Sequence, residues 1–182
     1  MTSDDSWVGD AQPYLTPRAP GERDAWSTET AARGRRGGQR LLAVEEALAP
    51  TPVQTFFDIA PDQQVFVRRR LILLDGRAVE LADSYYPRRI AHGTSLAKPG
   101  KIPGGAVTLL AQLGFVPEEN PLEDVAAATA TGSQCDALDL PTNAPVLVLT
   151  RFTRSTTGEP VEVSIMTMTR HLQYRQQKRQ VN

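Results

Sequence analysis

VFVRRRLILLDGRAVELADSYYP, residues 65–87, decides the fold. It reads as one long β-hairpin with arginines set into its first strand. In an extended chain Phe66, Arg68 and Arg70 fall on one side, and Val67, Arg69 and Leu71 on the other. Leu74-Asp75-Gly76-Arg77 supplies the turn, because Asp and Gly tolerate the positive φ of tight hairpin loops. The second strand, Ala78 to Tyr86, ends at Pro87, which cannot donate to a ladder. An arginine between apolar neighbours is held near a protein interior, where it needs a carboxylate or an anion. The hairpin therefore points to a module that binds a small acidic molecule.

Outward from the hairpin, the second segment of this kind is Val146 to Arg154 and Val161 to Thr169, joined by Thr156-Thr157-Gly158-Glu159-Pro160. Its strands are dense in Val, Ile, Leu, Thr and Phe, as sheet interior requires. Gln39 to Glu46 and Leu122 to Thr131 add two more strands. Short helices are expected at Val53 to Phe57, with Thr51 capping and Pro52 first, at Arg88 to His92, at Ala106 to Leu113 and at Ser133 to Leu138. Ala97 to Gly105 is a flexible loop. The pattern is α+β: long antiparallel strands with short helices covering one side.

Composition bounds the function. The chain has 182 residues, 40% hydrophobic and 23% charged, with a formal net charge of -1. That is enough chain for one sizeable core and lacks the basic surplus of a nucleic-acid binder. No signal-peptide core and no apolar run of about 18 residues is present, so no membrane is expected. The single Cys135 excludes an internal disulfide and fits a reducing, cytoplasmic setting. His92, His171 and Cys135 have no metal-ligand spacing, and no glycine-rich phosphate loop occurs, so neither metal nor cofactor is expected. Three regions result: residues 1–40, a partly ordered N-terminal segment or linker; residues 41–170, the domain; and residues 171–182, a flexible basic tail. In the first, Arg33, Arg35, Arg36 and Arg40 lie among glycines, either as a solvated loop or as a phosphate contact.

Candidate site residues come from the strands. Arg68 and Arg70 share a face and suit a bidentate anion, the alternative being a salt-bridge ladder to Glu80 or Asp83. Glu162 sits mid-strand between Val161 and Val163, and wants a ligand or an internal arginine, for which Arg151 and Arg154 are candidates. Tyr85 and Tyr86 point to opposite faces, one to the core and one to a pocket, and Tyr85 is taken as the pocket residue. Met168 is counted with it. His92-Gly93-Thr94 sits where a loop leaves the sheet, and both His92 and Thr94 are candidate contacts, against a surface or capping role. Ser84 carries a weak signal. No nucleophile motif or geometric carboxylate pair is legible, so an enzyme is not expected.

With these pieces in order, the chain resembles the effector-binding domain of GntR-type transcription regulators, the UTRA domain of the HutC subgroup, with a chorismate lyase-like fold. VRRRLILLDGRAVELADSYYP, IAHGTSL, the helix before LGF, and APVLVLTRFTRSTTGEPVEVS carry the resemblance, over about Ala43 to Thr169. PYLTP…GERDAW…G-RGGQR also looks like the linker of actinobacterial members. The resemblance implies a cytoplasmic module that binds a small anionic or polar metabolite and forms a homodimer through the sheet domain. It also implies that Arg70 and Glu162 hold the ligand. Departures stand at Ile72, where the family has a second arginine, and at Ala82, where a glutamate is usual. Gly105 and Val107 replace the serine and tyrosine of the pocket helix, which makes Gly105 a pocket position and points to a more apolar effector than a phosphosugar. Regulators of this family carry a winged helix-turn-helix ahead of the sensor. The forty residues here are too rich in Gly and Pro for one, so DNA would be read only through a domain this chain lacks. Two other functions remain on this fold, a small lyase-type enzyme and a ligand-free dimerisation module that titrates full-length regulators.

Overall fold

A computed structural model describes residues 7–9, 14–19, 22–169 and 172–174. His171 and the tail past Tyr174 lie outside the described residues. The strands are β1 (Trp7–Gly9), β2 (Gly37–Leu48), β3 (Gln64–Leu74), β4 (Arg77–Tyr86), β5 (Leu122–Thr129), β6 (Pro145–Arg154), β7 (Pro160–Met168) and β8 (Leu172–Tyr174). β1 and β8 pair in parallel as a separate ribbon. The other six form one antiparallel sheet in the order β2-β3-β4-β7-β6-β5. It is therefore two three-stranded meanders, β2-β3-β4 and β5-β6-β7, joined along a single seam between β4 and β7. This is the α+β class expected from the strand pattern.

The arginine-bearing hairpin turns at Asp75 and Gly76, whose φ values of 51° and 84° form the left-handed pair that matches the twist of a two-residue loop. The Asp75 carboxylate also accepts from the Arg36 N–H at 2.8 Å and from Arg35 Nε at 2.7 Å. Those bonds hold its pKa below the usual carboxylate range. Arg35, read above as solvated or phosphate-bound, instead pins the hairpin turn.

Helices lie on both faces of the sheet, not one. On one face α2 (Thr51–Phe57) covers Val65, Val67, Tyr85, Phe152 and Val163, and α5 (Gly132–Leu138) covers Val146 and Val148. On the other, α3 (Arg88–Ala91), a 3-10 turn (Ser95–Ala97) and α4 (Gly105–Gln112) enclose Phe66, Tyr86 and Val161. β3 is accordingly buried on both sides from Val65 to Arg68. Thr51 is not the cap of α2. Pro50 occupies that position and Thr51 is already helical, so Pro52 falls one place later, still in the turn where its missing N–H is harmless. A reciprocal capping box forms at α5, where Thr131 and Gln134 bond each other's backbone N–H.

The segment ahead of β2 is built onto the domain. In α1 (Ala25–Ala32) Trp26 is buried and its Nε1 donates to the Leu73 carbonyl at 2.8 Å. Tyr14 donates to Glu29 at 2.8 Å, and the Arg18 N–H donates to Thr108 Oγ1 on α4 at 2.9 Å. Satisfying a backbone donor and an indole with partners across the chain is what a packed segment does.

Candidate functional site

Strand register assembles a polar rung on one face of the sheet. Arg68 lies opposite Ser84, Ser84 opposite Ser164, Ser164 opposite Arg151, and Arg151 opposite Glu123. Residues directly opposite share a face, so five strands contribute one side chain each. The next rung, Arg70, Ala82, Met166 and Leu149, is small or apolar apart from its arginine.

Arg70 turns back toward the polar rung. Its Nη2 donates to Ser84 Oγ at 2.8 Å, the Ser84 and Ser164 hydroxyls are 2.8 Å apart, and Ser164 Oγ donates to Glu162 Oε1 at 2.6 Å. The proton order follows. Ser164 spends its hydrogen on Glu162, so Ser84 must donate to Ser164 while accepting from Arg70. The cation of the first meander and the carboxylate of the second thus end one hydrogen-bonded chain that crosses the seam.

The cation end is incompletely satisfied, and neither end has an ion-pair partner among the described residues. Arg70 Nε is buried without a hydrogen-bond partner. Among the described residues no carboxylate lies within ion-pair distance of Arg70 and no cation within that distance of Glu162. Neither arginine proposed as an internal partner for Glu162 reaches it. Arg151 is held by Glu123 at 2.6 Å, and Arg154 donates to the Gly158 carbonyl while its guanidinium lies over the Phe56 ring. Glu80, opposite Met168, completes the face. Burial pushes its carboxyl up to about 7, against the pull of Arg70 and then Arg151.

Arg68 has a different task. It is 5% exposed, and its Nη1 donates to the carbonyls of Ser95, Leu96 and Lys98 while Nη2 donates to that of Gly100. Four acceptors at 2.7–3.1 Å hold its two terminal nitrogens, so the loop read as flexible is strapped to the sheet at its first half. Burial pulls the Arg68 pKa below its ordinary value. The alternative ladder forms on the opposite face, from Arg69 to Asp83 and Glu45.

The remaining candidates divide. Tyr85 belongs to the opposite face, packed under α2, so the period of two separates it from Arg70. Tyr86 takes the Arg70 face instead, 1% exposed, its phenol pKa raised by burial and by Glu162. Met168 is buried on the site face between Glu80 and Leu147. His92 is exposed, its ring 6.4 Å from that of Phe66. Thr94 caps the 3-10 turn, accepting from Leu96 N and donating to the Ala91 carbonyl. Gly105 opens α4 with open space where a Cβ would stand. Sequence reasoning gave Glu80 only as a possible salt-bridge partner of the arginines, did not count Ser164 as a site residue and undervalued Ser84. The available signal was a small or charged polar residue at the same strand phase as Arg70 and Glu162.

A family model for the UTRA domain matches residues 32–172. The chain belongs to the UTRA domain family. Solved structures agree in fold. The effector domain of PhnF from Mycobacterium smegmatis superposes with a TM-score of 0.68 at 14% identity, covering 82% of this chain and 91% of that one. The C-terminal domain of Yurk from Bacillus subtilis gives 0.67 at 15%, covering 75% and 92%. The ligand-binding domain of a protein assigned to the GntR family of transcriptional regulators, from Bordetella bronchiseptica, gives 0.68 at 20%, covering 88% and 95%. No curated protein matches in sequence. As a UTRA domain, the chain is a regulatory, effector-binding type of module. Among the described residues no helix is long and apolar enough to cross a membrane.

Proposed function

We propose that this UTRA domain senses a small anionic or polar metabolite for a GntR/HutC-type transcription regulator and controls DNA binding allosterically. The observation that carries the reading is the buried, unpartnered Nε of Arg70 at the head of the Arg70–Ser84–Ser164–Glu162 chain. A buried guanidinium donor without an acceptor costs free energy that an incoming anionic or polar group returns. Arg70 and Glu162 are the primary contacts, Met168 and Met166 the apolar floor, and Gly105 the approach from α4.

The mechanism is a population shift. A solute bound across the seam favours the arrangement in which β4 and β7 hold the chain closed, and a ligand moves an equilibrium only by its differential affinity for two states. The segment ahead of residue 41 carries the change outward, since it rests on α4 through Arg18 and on the hairpin through Trp26. In a cytoplasmic homodimer this alters the spacing of attached winged helix-turn-helix domains.

Thermal unfolding with millimolar panels of small carboxylates, sugars and sugar acids tests the reading, with Arg70→Ala as control. A ligand that raises the midpoint of the parent protein and not of Arg70→Ala supports it. Equal shifts in both proteins, or none in either, would overturn it.

A further inference from the structure

The site face holds two opposite charges that the fold keeps apart. Arg70 contributes a guanidinium with a buried orphan N–H, and Glu162 a carboxylate whose one hydrogen-bond donor is a serine hydroxyl. Between them stand only Ser84 and Ser164, joined by short hydrogen bonds. A direct arginine–glutamate pair would satisfy both ends, and the same sheet makes one at Arg151 and Glu123. The two serines instead fix the separation of the charges and leave acceptor demand at one end and donor demand at the other.

From this arrangement, and resting on the effector-binding reading, we infer that the effector is a zwitterion whose anionic group docks on Arg70 and whose protonated nitrogen docks on Glu162. The linking chain must be short, because three hydrogen bonds in series separate the two protein groups. Ser84 and Ser164 lie beneath that link, with Ala82 and Met166 beside it on the Arg70 rung. The charged and titratable groups facing this space are Arg68 and Arg70 on β3, Glu80 and Tyr86 on β4, Glu162 on β7, and Arg151 with Glu123 on β6 and β5. Tyr14 of the N-terminal segment lies close enough to feel Glu80. Glu80, on the Arg70 face and within electrostatic reach of its guanidinium, repels an anion when ionised and not when protonated, so it tunes the anion end and leaves the nitrogen end to Glu162.

Calorimetric titration with three matched probes, γ-aminobutyrate, butyrate and n-butylammonium, separates the possibilities. The zwitterion is expected to bind about tenfold tighter than either single-charge analogue. Glu162→Gln, which keeps an acceptor for Ser164, is expected to erase that advantage, bringing the zwitterion down to the butyrate affinity measured on the same variant. Butyrate binding that equals the zwitterion and is lost in Arg70→Ala overturns the zwitterion inference and spares the effector site. A tenfold preference that survives Glu162→Gln overturns it as well. No binding of any of the three at millimolar concentration overturns both this inference and the reading beneath it.

Discussion

Arg68 and Arg70 are one pleat apart on the same face of the same strand, and the protein uses them in opposite ways. Arg68 is the more deeply buried, yet both of its terminal nitrogens end on loop carbonyls. Arg70 is less buried, yet one of its donors has nothing to meet. Burial alone therefore does not separate the two. They differ in whether the fold supplies acceptors, and the proposed effector contact is the arginine left with a donor over.

Four measurements break or sharpen that contrast. Arg68→Ala should be the most damaging change, since it leaves four carbonyls of residues 95–100 to find new partners and removes a buried side chain. We expect a loss of about 3 kcal/mol or more in urea unfolding. A loss below about 1 kcal/mol would show that the loop does not depend on the strap.

Glu80→Gln comes next and has a pH signature. The folded carboxyl sits near 7 against 4.5 for an ordinary glutamate. The folded protein thus holds a proton that the unfolded chain has released, and stability contributed by this group falls as pH rises from about 4.5 through about 7. Replacing the ionisable group should stabilise the protein by about 1–2 kcal/mol at pH 8, discounted for its partial contact with solvent, and by nearly nothing at pH 4. Equal effects at both pH values would place Glu80 outside the electrostatics of the site.

Ser84→Ala cuts the chain at its centre, depriving Arg70 of its acceptor and Ser164 of a donor, and should cost about 1 kcal/mol. Arg70→Ala should cost the least, under about 1 kcal/mol, because its charge is already unpaired and its Nε already unsatisfied. The diagnostic result is the pairing of a small stability change with complete loss of ligand-induced stabilisation. If Arg70→Ala proves as destabilising as Arg68→Ala, the two arginines are both structural and the contrast collapses.

Much of the fold was legible because it is written locally. The hairpin at Asp75–Gly76, the antiparallel class and the breaks between helices follow from alternation and turn chemistry within a few residues. Arg70 and Glu162 were legible as charges in apolar strands. What connects them was not, because the pairing of Ser84 with Ser164 depends on a register set across eighty positions of chain, and a hydroxyl in a strand looks alike whether or not it meets another. The choice between Tyr85 and Tyr86 failed for a related reason: with helices on both faces, both tyrosines are buried, and alternation says only that they differ. Arg68 was misread because its acceptors are backbone carbonyls, which leave no mark in residue types.

The β4–β7 seam has a consequence for folding kinetics. Each meander can form from neighbouring stretches of chain, but the junction between them closes a long loop and so belongs late on the route. The proposed effector row is divided across that junction, with Arg70 and Ser84 on one half and Ser164 and Glu162 on the other. Neither half presents a complete receptor on its own, so a bound solute should act chiefly as a brake on unfolding and leave the rate of refolding nearly untouched.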